Sequence, residues 1–152
     1  MGGNKKKKDS SGVYDQRTLV TRMGDIQTIH ELMMQSPVHR KWSADGFIRY
    51  VFPPLMLKQH YFTKDRRAWI SWAFLSPEIA DGFQKRTRHL SIDDWHSGDE
   101  LWFIDMIAPY GNVRELMKDI RDTVFAGHPG GKWTRTFGTG KVQKIGFFER
   151  QT

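Results

Sequence analysis

An acidic residue interrupts a short apolar run between Leu101 and Ala108. The run reads LWFIDMIA and is followed by Pro109 and Gly111, a pattern typical of a buried strand that ends in a turn. Asp105 would therefore place a carboxylate inside the core. A buried carboxylate is costly unless it is protonated, hydrogen-bonded or paired with a cation. The sequence thus predicts that another part of the chain supplies a partner for Asp105.

The composition limits the class of protein. The chain has 152 residues, of which 38% are hydrophobic and 27% charged, as expected for one soluble globular domain with its own core. No apolar run approaches membrane-spanning length, and the N-terminal lysines precede polar residues rather than the apolar stretch of a signal peptide. We therefore expect a cytoplasmic protein. The lack of cysteine excludes disulfides, thiolate metal sites and a cysteine nucleophile.

The charge is basic throughout the chain. The formal net charge is +7, of which residues 1–18, including the run Lys5 to Lys8, contribute +3 and the remainder +4. A basic body indicates an acidic partner, which could be nucleic acid, an anionic membrane surface or an acidic carrier protein. Binding of the N-terminal lysines to an anionic membrane surface is one of these alternatives.

The hydrophobic pattern predicts a single-domain α+β fold with a mixed sheet and helices packed on it. Residues 1–17 lack apolar periodicity and are predicted to form a disordered basic arm ahead of a domain at residues 18–152. Helices are predicted to begin at Asp25 and at Ser43, to run over 77–88, and to follow Asn112 to about 125. Strands are predicted at 55–63, 68–75, 101–108, 133–137 and 141–148, with a hairpin turn at 64–67 and a break at Pro53 and Pro54.

Several motifs are rejected on their spacing. Neither Gly131-Lys132 nor Gly140-Lys141 has the spacing of a phosphate-binding loop, and the six histidines show no metal-ligand spacing. The basic segments KWTR at 132–135 and QKRTRH at 84–89 are compatible with single-stranded nucleic acid, but we favour a solvated basic face for both. We therefore expect neither a metal nor a nucleic-acid partner.

Three segments together resemble the bacterial RTX-toxin-activating lysine acyltransferases. They are SPVHRKW at 36–42, SWA and LS at 71–73 and 75–76, and DWHSGD at 94–99 running into WFIDMIAPYG at 102–111. A weaker match covers 131–144, and the chain departs from the family pattern at Tyr50, where Asn is expected. The resemblance implies a GNAT-like fold, that of the GCN5-related N-acetyltransferases, with a mostly antiparallel sheet.

The resemblance also implies an activity. Members transfer a fatty acyl chain from acyl carrier protein to internal lysines of an RTX protoxin, with no bound cofactor. The essential histidine and aspartate of the family fall on His39 and Asp105, and its neighbouring serine falls on Ser36. The implied partners are acyl carrier protein and the protoxin. Association of two copies of the chain into a homodimer is left as an alternative to a monomer.

The chemistry explains why such residues are needed. A lysine amine, with a pKa of about 10.4, is protonated at neutral pH and cannot attack a thioester until a base removes a proton. We assign His39 as that base and Asp105 as the group that orients it. Attack by His39 itself, giving an acyl-imidazole, is the alternative. A further hypothesis is that backbone amides near the end of the Asp105 strand donate hydrogen bonds to the oxyanion formed in the reaction.

The donor and its acyl chain raise separate expectations. A glycine-rich coenzyme A loop is missing before Val113, where the sequence APYGN stands, which agrees with a donor held on a carrier protein. Trp69, Trp72 and Phe74 are candidates for an acyl slot, with at least half of them expected in the core. Two other functions remain open, a coenzyme A-dependent N-acetyltransferase and a non-enzymatic basic module that binds nucleic acid or an anionic surface.

Overall fold

A computed structural model of the chain describes residues 16–85, 87–134 and 142–146. Its helices are α1 (Gln16–Gln35), α2 (Ala44–Tyr50), α3 (Phe52–Leu57), α4 (Pro77–Gln84) and α5 (Val113–Asp122). Its strands are β1 (His60–Phe62), β2 (Trp69–Leu75), β3 (Glu100–Ile107), β4 (Gly130–Thr134) and β5 (Val142–Gly146). Short 3-10 turns lie at His39–Lys41 and Ile92–Trp95. No helix among these residues combines the length and apolar character needed to cross a membrane.

The five strands form one sheet in the order β1-β2-β3-β4-β5. The pairs β1–β2, β2–β3 and β4–β5 are antiparallel, whereas β3 and β4 are parallel and are connected through α5. A parallel pair needs such a crossover because the chain must return to the same end of the sheet. The predicted single-domain α+β fold of GNAT-like type, with a mostly antiparallel sheet and flanking helices, is confirmed.

Alternate residues of β2 face opposite sides of the sheet. Ile70 and Trp72 pack with Leu116 and Ile120 of α5 on one face. On the other face, Ala73 and Leu75 pack against α4, and Trp69 packs against α1 and α3. Both faces of the sheet are therefore covered, which explains why β2 and β3 read as continuous apolar runs in the sequence.

A β-bulge in β3 directs Asp105 to the face that carries α1. Asp105 pairs with Ser71 and Phe103 pairs with Trp72, so Ile104 has no partner on β2. Phe103 packs on the α5 face and Ile104 on the opposite face. Because the extra residue shifts the alternation by one, Asp105 follows Ile104 onto that opposite face instead of returning to the α5 face.

Several predicted elements are confirmed. Helix α2 has Ser43 as its N-cap, whose hydroxyl accepts a hydrogen bond from the Gly46 amide at 3.2 Å. The hairpin joining β1 and β2 falls at the predicted turn, and β3 coincides with the apolar run around Asp105. Helix α4 begins at Pro77 as predicted but ends at Gln84, four residues early.

Other predictions are wrong at the first two helical segments. Helix α1 begins at Gln16, so Asp25 is an internal residue, and its carboxylate pairs with Arg66 at 2.7 Å instead of capping the helix. Pro53 and Pro54 do not break the chain but lie in the first turn of α3. Proline fits there because the first-turn amides have no helical acceptor. The predicted strand at 55–63 is consequently reduced to β1.

The end of the chain is partly outside the described residues. The strands predicted at 133–137 and 141–148 are represented by β4 and β5, and the predicted arm is described only from residue 16, inside α1. Asn112 occupies the N-cap position of α5, but its side chain makes no capping hydrogen bond. The predicted α5 stripe is buried only at Leu116 and Ile120, while Val113 and Val124 are exposed.

Candidate active site

His39 is positioned by the sharp end of α1. The residue after the helix, Ser36, precedes Pro37, which disfavours continuation of the helix. The chain then turns, because the Arg40 amide donates to the Ser36 carbonyl at 3.0 Å, and His39 begins the first 3-10 turn. The His39 side chain points inward and the residue is only 7% exposed.

Asp105 is the partner of His39. His39 Nε2 lies 2.8 Å from Asp105 Oδ1, although the two residues are 66 positions apart. Asp105 is itself buried, and the Met106 amide donates a second hydrogen bond to the same Oδ1 atom at 2.9 Å. The structure thus brings together the two residues that the sequence analysis had paired.

Ser36 holds the other nitrogen of the same ring. Its hydroxyl oxygen lies 2.6 Å from His39 Nδ1. Since the Asp105 carboxylate can only accept, we assign the ring proton of the neutral histidine to Nε2 and take Nδ1 as the acceptor for the Ser36 hydroxyl. The three groups therefore form a buried chain of hydrogen bonds from Ser36 through His39 to Asp105.

This arrangement has a defined chemical capacity. Nδ1 is the ring atom that can take up a further proton, and the carboxylate on Nε2 would stabilise the resulting imidazolium. The same polarisation would favour attack by Nδ1 on an electrophilic carbonyl. The site is thus suited to base or nucleophilic catalysis at a position next to the Ser36 hydroxyl.

Aromatic groups border the histidine. The Trp42 ring lies 5.0 Å from the His39 ring, and the Tyr50 ring lies 5.9 Å from Trp42. The Tyr50 hydroxyl contacts His89 Nδ1 at 3.1 Å. Burial raises the pKa of Tyr50, an effect that Arg49 opposes and the Asp105 charge reinforces. Tyr50 therefore remains a neutral phenol over the physiological range.

A cavity of about 550 Å³ opens beside His39. It lies between α1 and α2, and most of its lining is apolar. The sequence analysis missed it, because it is formed by residues of two helices that are adjacent only after folding. The suggested acyl slot on β2 is not formed, since Trp69 and Trp72 are buried in the core and Phe74 packs against the α5 cluster.

The charged side chains leave little scope for metal or nucleic-acid binding among the described residues. These residues contain no cluster of three or more histidine, aspartate or glutamate side chains that could hold a metal ion. Two cations of the basic segments make internal pairs, Lys132 with Glu100 and Arg88 with Asp94 at 2.8 Å. Oxyanion donors were predicted among the backbone amides near the end of the Asp105 strand, and one of these, the Met106 amide, instead donates to Asp105 Oδ1. The role of neighbouring amides stays a prediction.

Comparison with known proteins adds an independent line of evidence. The model of the RTX toxin acyltransferase family matches residues 20–149. Lysine-acyltransferase RtxC of Vibrio cholerae serotype O1 is 34% identical over 98 residues, which are 62% of this chain and 64% of that protein. RTX-II toxin-activating lysine-acyltransferase ApxIIC of Actinobacillus pleuropneumoniae is 39% identical over 93 residues, 59% of this chain and 58% of that protein.

A longer match is found with protein-lysine myristoyltransferase RtxC of Kingella kingae, 32% identical over 137 residues and covering 82% of each chain. The matches to the Vibrio and Actinobacillus proteins span less than two thirds of the length of those relatives. The family match includes Ser36, His39 and Asp105, the three residues of the buried hydrogen-bonded chain.

Proposed function

This chain belongs to the RTX toxin acyltransferase family, and from that membership we propose that it transfers a fatty acyl chain to lysine side chains of an RTX toxin. The relatives named above are lysine acyltransferases, one of them toxin-activating and one a myristoyltransferase. The observation that carries the proposal is the 2.8 Å contact between His39 Nε2 and Asp105 Oδ1 in a buried site.

In the proposed reaction His39 is the general base. Nδ1 takes a proton from the substrate ammonium, directly or through the Ser36 hydroxyl, and the free amine attacks the thioester carbonyl. A carbon–nitrogen bond forms and the carbon–sulfur bond breaks. The ammonium group loses two protons in all: one passes through the imidazolium to the departing thiolate, and the other is released to solvent as the amide forms. Asp105 stabilises the imidazolium between these steps, and such assistance typically contributes about 10²- to 10⁴-fold in rate.

The position of Ser36 supports the base mechanism over the acyl-histidine alternative. With Nε2 held by Asp105, Nδ1 would have to be the attacking atom, but the Ser36 hydroxyl lies 2.6 Å from it. A proton can pass through that hydroxyl, whereas a carbonyl carbon can reach Nδ1 only after the hydroxyl moves away. Ser36 is accordingly a supporting residue that positions the ring and its proton.

Acyl carrier protein is the proposed donor, and no bound cofactor is required. The chain has a net charge of +7 and a pI of about 9.8, which favours association with an acidic carrier. A donor of this kind is cytoplasmic, so we propose that the enzyme acts in the cytoplasm. The protoxin is the proposed acceptor.

Intact-protein mass spectrometry provides the test. The purified chain is incubated with a candidate RTX protoxin and acyl carrier protein loaded with a fourteen- or sixteen-carbon chain. We expect a fatty-acyl mass gain on toxin lysines, abolished by His39→Ala and slowed by Asp105→Asn. His128→Gln and Asp122→Asn are matched controls of the same residue types away from the site, and they should retain activity.

Two outcomes would contradict the proposal. Turnover of acetyl-coenzyme A without any requirement for the carrier would indicate the N-acetyltransferase alternative. Salt-dependent nucleic-acid binding that persists in His39→Ala, with no acyl transfer by the native chain, would instead indicate a binding module.

A further inference from the structure

We propose that the cavity between α1 and α2 holds the fatty acyl chain of the donor, an inference that rests on the proposed function. Its volume of about 550 Å³ falls within the range of about 300–1,000 Å³ usual for small-molecule sites. His39 forms part of its wall, so a chain in this cavity would place its thioester next to the proposed base.

The lining suits a flexible hydrocarbon chain. Its apolar part comes from both helices and the start of α3: Ile26, Met33, Met34, Phe47, Ile48 and Phe52. Methionine side chains are unbranched and adapt to irregular apolar ligands, which favours occupation by an alkyl chain over a rigid polar molecule. Polar groups are few, and three of them are His39, Arg40 and Ser43.

Exposure of the lining indicates that a ligand covers it. Met34 is 52% exposed, Ile48 is 58% exposed and Phe52 is 37% exposed, although all three are large and apolar. They meet at one cavity, whereas single exposed apolar residues scattered over a surface need no explanation. Burial of these side chains by an acyl chain would remove apolar surface of both partners from water.

A second cavity offers a useful comparison. It has a volume of about 320 Å³ and lies on the other side of α1, where Glu31, Gln35, Arg66 and Arg67 contribute to its lining. An alkyl chain would leave these charged and polar groups poorly solvated there. The strand residues Trp69 and Trp72 offer no space either, because they are packed in the core. The cavity beside His39 is thus the better fit for the chain.

The test is a change in chain-length preference. Ala44→Phe and Ile48→Trp each add bulk to the cavity from exposed positions on α2, where the fold should tolerate it. Activity is measured with acyl carrier protein carrying eight- or sixteen-carbon chains. We expect the ratio of kcat/KM for the longer over the shorter chain to fall by about tenfold or more, since each excluded methylene corresponds to roughly fourfold.

Val124→Trp is the matched control, because Val124 is exposed in the turn that follows α5 and does not line the cavity. It should keep the native ratio. An unchanged ratio in both cavity variants, or an equal loss for both chain lengths with the fold intact by circular dichroism, would overturn the acyl site but leave the proposed function standing. If the native chain acylates with neither donor, the proposed function itself fails.

Discussion

Ser36 and Asp105 hold opposite nitrogens of the His39 ring, and their roles can be separated by magnitude. The Ser36 hydroxyl makes a neutral hydrogen bond to Nδ1, and loss of one such bond typically costs about 1 kcal/mol, or roughly fivefold. Asp105 stabilises a charge that exists only after proton uptake. We therefore expect Ser36→Ala to lower kcat by about fivefold and Asp105→Asn by about 10²- to 10⁴-fold.

Single-turnover acylation with saturating donor measures both effects. Ser36→Thr retains the hydroxyl and should recover most of the rate lost in Ser36→Ala. A loss in Ser36→Ala as large as that in Asp105→Asn would contradict this ranking, and it would assign Ser36 an obligatory part in proton transfer.

His60 makes the stability of the fold depend on pH. Burial lowers the pKa of His60, an effect opposed by Asp25 and reinforced by Arg66, and its Nδ1 accepts a hydrogen bond from Trp69 Nε1 at 3.1 Å. The native state therefore favours the neutral ring. The unfolded chain binds a proton more readily, so this stabilisation is present above the unfolded pKa of about 6.5 and is lost as the pH falls below it.

We expect the free energy of unfolding to decrease between about pH 7.5 and pH 5.5, by at most about 1.4 kcal/mol per pH unit from this group. Urea denaturation across that range measures the slope. His60→Asn keeps an acceptor near Trp69 but does not titrate, so its slope should be smaller than that of the native chain. Equal slopes would exclude His60 as the source.

At the level of elements, the sequence correctly predicted the helix start, turn and strand whose positions are determined by neighbouring residues. Ser43 before α2, the turn between β1 and β2, and the apolar run of β3 all appear where the sequence placed them. Pro53 and Pro54 misled the prediction because proline is compatible with the start of a helix as well as with its end. The bulge at Ile104 left no signal, since β3 is apolar on both faces and alternation cannot reveal a shift in register.

Gly98 lies in the loop before β3, where its backbone packs closely against the end of β2 and the start of α4. The amides of Ser97 and Gly98 both donate to the Phe74 carbonyl, at 2.8 and 3.1 Å. A Cβ atom at Gly98 would lie 2.5 Å from the Ser76 nitrogen and 2.6 Å from the Leu75 oxygen, which are backbone atoms. Because backbone cannot rotate away, the substitution would push the end of β2 and the start of α4 from the loop.

We expect Gly98→Ala to reduce the free energy of unfolding by about 1–3 kcal/mol, as other overpacked sites do. Gly24→Ala is the matched control, since a Cβ there has nothing within 4 Å and alanine favours the α1 helix by up to about 1 kcal/mol. Chemical denaturation of both variants measures the contrast. A Gly98→Ala protein as stable as the native chain would show that the loop is not held as described.

At the scale of the whole molecule, the need of Asp105 for a partner could be anticipated because a buried carboxylate is costly alone, and the family resemblance identified His39 as that partner. The assignment of Nδ1 as the basic atom could not be anticipated, since it depends on which nitrogen each neighbour reaches. The cavity beside His39 could not be predicted either. Its walls come from α1 and α2, whose relative placement is set by the packing of both on Trp69, Ile107 and their neighbours.

The net charge of the whole chain is +7, so the choice of donor can be tested by measuring how activity depends on salt concentration. If the donor is an acidic carrier protein, electrostatic attraction speeds encounter and weakens as ions screen it. We expect the KM for acyl carrier protein to rise by about threefold or more between about 50 and 300 mM salt, while kcat changes little.

The matched control is an uncharged acyl thioester of N-acetylcysteamine with the same chain. Its KM should be nearly independent of salt, because only the carrier interaction is removed and the acyl site is the same. A similar salt dependence for both donors would instead locate the effect in the enzyme or the toxin.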